Sequence, residues 1–131
     1  MEIMLINEAK KALQNSYAPY SNFNVGAALL CASGKIYLGC NIENAAYSST
    51  VCAERTAFFK AISEGEDDFV AIAIVGGKNG EIEDICPPCG VCRQVMAEFC
   101  DENFEVVLAK KEGFEKYKLK KLLPLSFKLE D

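Results

Sequence analysis

Histidine is absent from this sequence, as are a long apolar run, an excess of basic residues, an internal repeat and any low-complexity stretch. Without histidine, a metal site or a proton relay must be assembled from cysteine and carboxylate side chains. No segment approaches the roughly 20 consecutive apolar residues of a membrane-spanning helix, so no membrane partner is expected. Nineteen acidic against fourteen basic residues give a net charge of −5. That balance disfavours a nucleic-acid partner, because phosphate neutralisation needs clustered Lys and Arg, and it suits a small uncharged substrate better. The opening residues 1–8 carry two acids and no basic leader. They are unlike a secretory or transit peptide, and a cytoplasmic location is expected.

What is present suffices for a single domain over residues 1–131: the chain is 50% hydrophobic and 25% charged, and long enough to bury a core by itself. Its seven cysteines, in a chain expected in the cytosol, read as metal ligands, buried residues or reactive thiols rather than a disulfide framework. Cys31 and Cys40 flank a Ser33-Gly34-Lys35 turn and Cys100 sits late in a helical pattern, so these three read as small core residues. The basic cluster Lys110, Lys111, Lys116, Lys118, Lys120 and Lys121 is interleaved with Glu112 and Glu115 and reads as a solvated face.

Apolar residues at Leu5, Ala9, Ala12 and Leu13 predict a helix over residues 2–14, closed by the loop Tyr17-Ala18-Pro19-Tyr20. Residues 25–30 and 36–40 predict an antiparallel hairpin, and 41–50 a loop. A second helix is expected to open at Cys52 and to stop at Gly65. The continuous apolar run 69–75 reads as a central strand covered on both faces. After a connection over 76–88, Pro88 suits the first turn of a third helix reaching about Cys100. Residues 104–109 read as a strand, and the leucines around Pro124 as a short helix and an ordered tail. The order αββαβαβ predicts a three-layer α/β/α domain with a mixed sheet.

The chemistry concentrates in Cys52-Ala53-Glu54 and Pro88-Cys89-Gly90-Val91-Cys92. Both motifs fall at predicted helix starts, where unpaired N–H groups favour thiolates. Cys89 and Cys92, three apart, share a helix face, and Cys52 approaches from the other helix. Three thiolates around Zn²⁺ leave the fourth tetrahedral position open, which marks a catalytic rather than a structural site. Glu54, two residues beyond Cys52, is then the proton shuttle. Three thiolates make an electron-rich ion, and Arg55 is placed to offset that charge by donating to a ligand sulfur.

Cys52-Ala53-Glu54-Arg55-Thr56-Ala57 and Pro88-Cys89-Gly90-Val91-Cys92-Arg93-Gln94 resemble the signatures of the short, homotetrameric cytidine deaminases. The likeness extends to residues 21–28, 39–47 and 122–127, and so covers nearly the whole chain. It implies a five-stranded mixed sheet, one Zn²⁺ per chain, and hydrolysis of cytidine and 2′-deoxycytidine to uridine and 2′-deoxyuridine with release of ammonia, as in pyrimidine salvage. It also implies Asn41 and Glu43 on the ribose, Phe23 in the base pocket, the Ala53 backbone on the base edge, and Tyr47 and Phe127 completing a neighbouring subunit's pocket. Read alone, Asn41-x-Glu43 is a turn feature and each aromatic is core.

The sequence departs from that pattern at Cys86-Pro87, where a non-cysteine residue and a serine commonly stand. A fourth nearby thiol leaves open a closed structural site of Cys52, Cys86, Cys89 and Cys92 without catalysis. A redox dithiol at Cys89 and Cys92 is a further alternative.

Overall fold

In the computed structural model, residues 1–129 are described. The chain forms α1 (Glu2–Leu13), β1 (Phe23–Cys31), β2 (Ile36–Cys40), a 3₁₀ turn (Tyr47–Ser49), α2 (Ala53–Ser63), β3 (Phe69–Lys78), α3 (Gly90–Phe99), β4 (Glu105–Ala109), β5 (Phe114–Lys118) and α4 (Leu119–Leu122). The strands make one sheet in the order β2-β1-β3-β4-β5. β3 and β4 pair in parallel across the α3 crossover, and the other neighbours are antiparallel. The mixed three-layer arrangement matches the expectation.

Period-two alternation sorts the central strands into two cores. Ile72, Ile74, Val106 and Leu108 face α2 and α3, whereas Ala71, Ala73, Val75 and Val107 face α1. The small residues on the α1 side let that helix lie close. A Cβ on Gly26 would come 2.3 Å from the Ala9 carbonyl oxygen, so α1 backbone rests directly on β1. α2 ends as predicted. Gly65 takes φ +97°, its N–H bonds the Ile62 carbonyl at 3.0 Å, and the Glu66 N–H bonds that of Ala61 at 3.1 Å. That pair of bonds satisfies carbonyls the helix end would otherwise leave unpaired.

Three expectations are corrected. Pro88 precedes α3 and is not in its first turn, because Cys89 is the N-cap. The residue pattern shows four strands, and the fifth, β5, lies within the lysine cluster, whose Lys111, Lys116, Lys118, Lys120 and Lys121 are exposed as a solvated face requires. The β5 sequence Phe114-Glu115-Lys116-Tyr117-Lys118 mixes charged and aromatic residues on an edge strand and has no apolar run to announce it. Phe114 packs into one core and Tyr117 into the other, while Lys116 reaches Glu2 at 2.9 Å and Glu105 at 3.3 Å. Cys40 is only half-buried, unlike Cys31 and Cys100. Among the described residues no helix is long and apolar enough to cross a membrane.

Candidate metal centre and active site

α2 and α3 each begin at a cysteine. Cys52 caps α2 and Cys89 caps α3, both in extended backbone, and neither helix start is closed by a side-chain hydrogen bond. The first-turn N–H groups therefore remain available to anionic sulfur. The Cys52 and Cys89 sulfurs lie 3.7 Å apart and those of Cys89 and Cys92 3.6 Å apart. All three fall within 4.8 Å of one another. A tetrahedral zinc with sulfurs at about 2.3 Å sets neighbouring sulfurs about 3.8 Å apart, so the cluster has the size the ion requires. A disulfide would set two sulfurs about 2.05 Å apart, and all three cysteines are free thiols here.

The charges in the cluster point the same way. Contacts with Cys92, Arg55 and Cys89 pull the Cys52 thiol down to about 5. Cys92 is held well above the ordinary thiol range by its contact with Cys52 and by burial. Cys52 and Cys92 are thus pushed in opposite directions by their mutual contact, and a dication between them removes that conflict.

Glu54 occupies a position where helix periodicity calls for an apolar residue. The buried face of α2 is Ala53, Glu54, Ala57, Phe58 and Ala61, and Glu54 is only 4% exposed. Burial, with the adjacent Cys52 charge, raises its carboxyl to about 7. Arg55 turns back one helical turn, its Nη2 lying 3.5 Å from the Cys52 sulfur.

The sequence matches the family described as "Cytidine and deoxycytidylate deaminase zinc-binding region" over residues 2–108. The chain belongs to this deaminase family. Relatives include the cytidine deaminase of Sporosarcina psychrophila, 54% identical over 128 residues covering 97% of this chain and 91% of the relative. That of Halalkalibacterium halodurans is 50% identical over 129 residues, covering 98% and 95%. The crystal structure of cytidine deaminase from Burkholderia pseudomallei superposes with a TM-score of 0.90 at 45% identity, covering 97% of this chain and 99% of that one. This deaminase thus carries a zinc-binding region, and its three-cysteine cluster fits the zinc site.

The remaining predicted site residues of this deaminase fall into separate groups. The Asn41 side chain is mostly spent within the fold. Its Oδ1 accepts the Ser16 hydroxyl and the Val25 N–H (3.0 Å), and its Nδ2 donates to the Phe23 carbonyl (2.8 Å). One amide N–H is left. Glu43 accepts from the Tyr20 and Ser21 N–H groups at 3.0 and 3.1 Å and from the Ser21 hydroxyl, the last chiefly holding its carboxyl below the ordinary range. It lines a cavity of about 350 Å³ with Tyr20, Ser21, Asn44, Tyr47 and Thr50. Phe23 borders a recess of about 310 Å³ beside Gly76 and Ile85. The Ala53 carbonyl faces Gly39; Ala53 opens α2, so its N–H is a first-turn donor without a partner inside the helix. Tyr47 and Phe127 are 78% and 67% exposed; Tyr47 forms one wall of the first cavity, and Phe127 lines neither.

Two contributors escaped the sequence reading. Ser16 and Ser21 fix Asn41 and Glu43 from 25 and 22 residues away, and no local pattern marks them. Gly39 does carry a signal, a glycine inside a strand, which marks a close backbone approach. A Cβ there would fall 2.3 Å from the Ala53 carbonyl oxygen and 2.6 Å from the Ala57 nitrogen. Gly39→Ala must therefore push the start of α2, with Cys52 and Glu54, off the sheet. It should cost about 1–3 kcal/mol in denaturant unfolding and also weaken zinc retention. Gly26→Ala, equally crowded but under α1, should cost similar stability and leave zinc in place. Equal metal loss in both would show that Gly39 has no special bearing on the site.

Cys86 lies outside the metal cluster. Its sulfur packs where Gly76 has no Cβ, at 2.9 Å from that position, and burial raises its thiol to about 11. The closed four-cysteine site is therefore not formed. Cys86→Ser should keep one zinc per chain and its turnover within about threefold of wild type; loss of metal on this change would restore the structural-site reading.

Proposed function

We propose that this chain catalyses the hydrolytic deamination of cytidine and 2′-deoxycytidine to uridine and 2′-deoxyuridine with release of ammonia, a reaction of pyrimidine salvage. The observation that carries the mechanism is the buried Glu54 carboxylate, two residues beyond Cys52 in a site built from three thiolates. When held by Cys52, Cys89 and Cys92, zinc supplies Lewis acidity that makes water acidic enough to act as a nucleophile near neutral pH. Glu54 takes the proton released by the attacking water and delivers it to ring N3 as the nucleophile adds at C4. It then takes the remaining proton from the C4 hydroxyl and gives it to the amine, so that the C4–N bond breaks, ammonia leaves and the C4 carbonyl of the uracil ring forms. A carboxyl raised to about 7 can both accept and return a proton at working pH. Arg55 steadies the Cys52 thiolate and lowers the negative charge of the site.

Glu43, with its carboxylate fixed by the 20–21 backbone, accepts from a ribose hydroxyl, and the remaining Asn41 N–H donates to one. Phe23 packs on the base and the Ala53 N–H reads its edge. The high exposure of Tyr47 and Phe127 supports a homotetramer in which these rings complete a neighbouring copy's site. The domain spans residues 1–131 and works in the cytoplasm on free nucleosides. The −5 charge supports the absence of a nucleic-acid partner. The test is ammonia and uridine release from cytidine by zinc-loaded protein, with mass and zinc content measured on the same sample. A zinc-loaded tetramer inert on both nucleosides would overturn the assignment.

A further inference from the structure

The C-terminal tail crosses the surface with little beneath it. Leu125 is 104% exposed, Phe127 67% and Leu129 87%. Under it lies a recess of about 640 Å³ bounded by Ala97, Cys100, Leu119, Leu123 and Leu125. Leu125 turns the chain back with φ 54°. Packing therefore does little to fix this segment, and its polar contacts decide where it stands.

Those contacts come from two consecutive residues of the zinc-binding helix. The half-buried Arg93 donates from Nε to the Pro88 carbonyl at 2.8 Å and from Nη1 to the Leu122 carbonyl at 2.7 Å. Among the described residues it has no carboxylate partner. Its planar fork is spent on joining two backbone segments, the one that enters Cys89 and the one that ends α4. Gln94 donates from Nε2 to the Phe127 carbonyl at 2.9 Å. Among the described residues, this is the hydrogen bond received from outside the tail by residues 124–129.

We propose that Arg93 and Gln94 are positioning residues that clamp the tail at Leu122 and Phe127, so that the helix holding two of the metal-binding cysteines also sets where the Phe127 ring stands. The clamp concerns this chain alone; its effect on substrate rests on the reading of Phe127 given above.

The test uses zinc-loaded Gln94→Glu, Arg93→Lys and Phe127→Ala beside wild type. Gln94 is exposed, so Gln94→Glu should fold normally; it keeps the side chain's shape but sets an acceptor against the Phe127 carbonyl. Loss of one hydrogen bond of ordinary strength raises the undocked population about fivefold, and native-state cleavage by chymotrypsin after Phe127 should quicken by that factor. KM for cytidine should rise severalfold, towards the Phe127→Ala value, with kcat and zinc content unchanged. Arg93→Lys cannot span both carbonyls, so it should quicken tail cleavage and also speed zinc release to a chromogenic chelator. Wild-type cleavage rates in both variants would overturn the clamp. Faster cleavage with unchanged KM would uphold the clamp and remove Phe127 from the substrate site.

Discussion

Glu54→Gln should yield a folded protein that binds zinc as wild type does and deaminates cytidine about 10⁴-fold more slowly, the upper end of what one general acid–base group contributes. The amide fills the same space on the buried face of α2 but cannot take a proton from water or return one to N3. With no histidine in the chain and Glu54 the buried acid among the described residues, no other side chain can assume the task. Stability should move the other way. A carboxyl that burial has raised to about 7 is poorly solvated in the fold, so its replacement by an uncharged amide should leave the unfolding temperature equal or higher. Paired zinc analysis, thermal unfolding and single-turnover rates check this. Turnover within tenfold of wild type would remove Glu54 from the proton path.

The contrast between Glu54 and Asn41 shows what the sequence could reveal. Both are buried polar residues. Glu54 interrupts an apolar helical stripe two positions after a cysteine, and the local pattern alone makes it conspicuous. Asn41 sits in a polar stretch where nothing local distinguishes it, and its role comes from Ser16, Phe23 and Val25, residues distant along the chain. The same division holds for the fold. β3 and β4 were legible because strands covered on both faces are continuous apolar runs. β5 was not, because Phe114-Glu115-Lys116-Tyr117-Lys118 holds three charged residues and no apolar run, and it forms through pairing with β4. The metal cluster was legible because helix N-termini and a three-residue cysteine spacing are both local properties. The clamp from α3 to the tail was not, since it joins residues 29 and 33 positions apart.

Removing zinc with a chelator should abolish turnover while leaving secondary structure in place, and both activity and thermal stability should return with one equivalent of zinc. The two hydrophobic cores lie on opposite faces of the sheet and contain Cys31 and Cys100 but none of the three clustered cysteines. The fold therefore does not depend on the ion as a zinc finger does. The ion's contribution appears as linkage: zinc at about 1,000 times its dissociation constant adds about 4 kcal/mol. For a domain of this length that corresponds to a rise in Tm on the order of 10 °C. Because the ligands must lose protons to bind, the difference between loaded and stripped protein should grow from pH 6 to pH 8. Circular dichroism melts of both forms at the two pH values measure it. A stripped protein that is wholly unfolded would make the ion a structural staple. One that still turns over cytidine would place the chemistry outside the cysteine cluster altogether, because the acidity required of water there would come from zinc bound at that cluster.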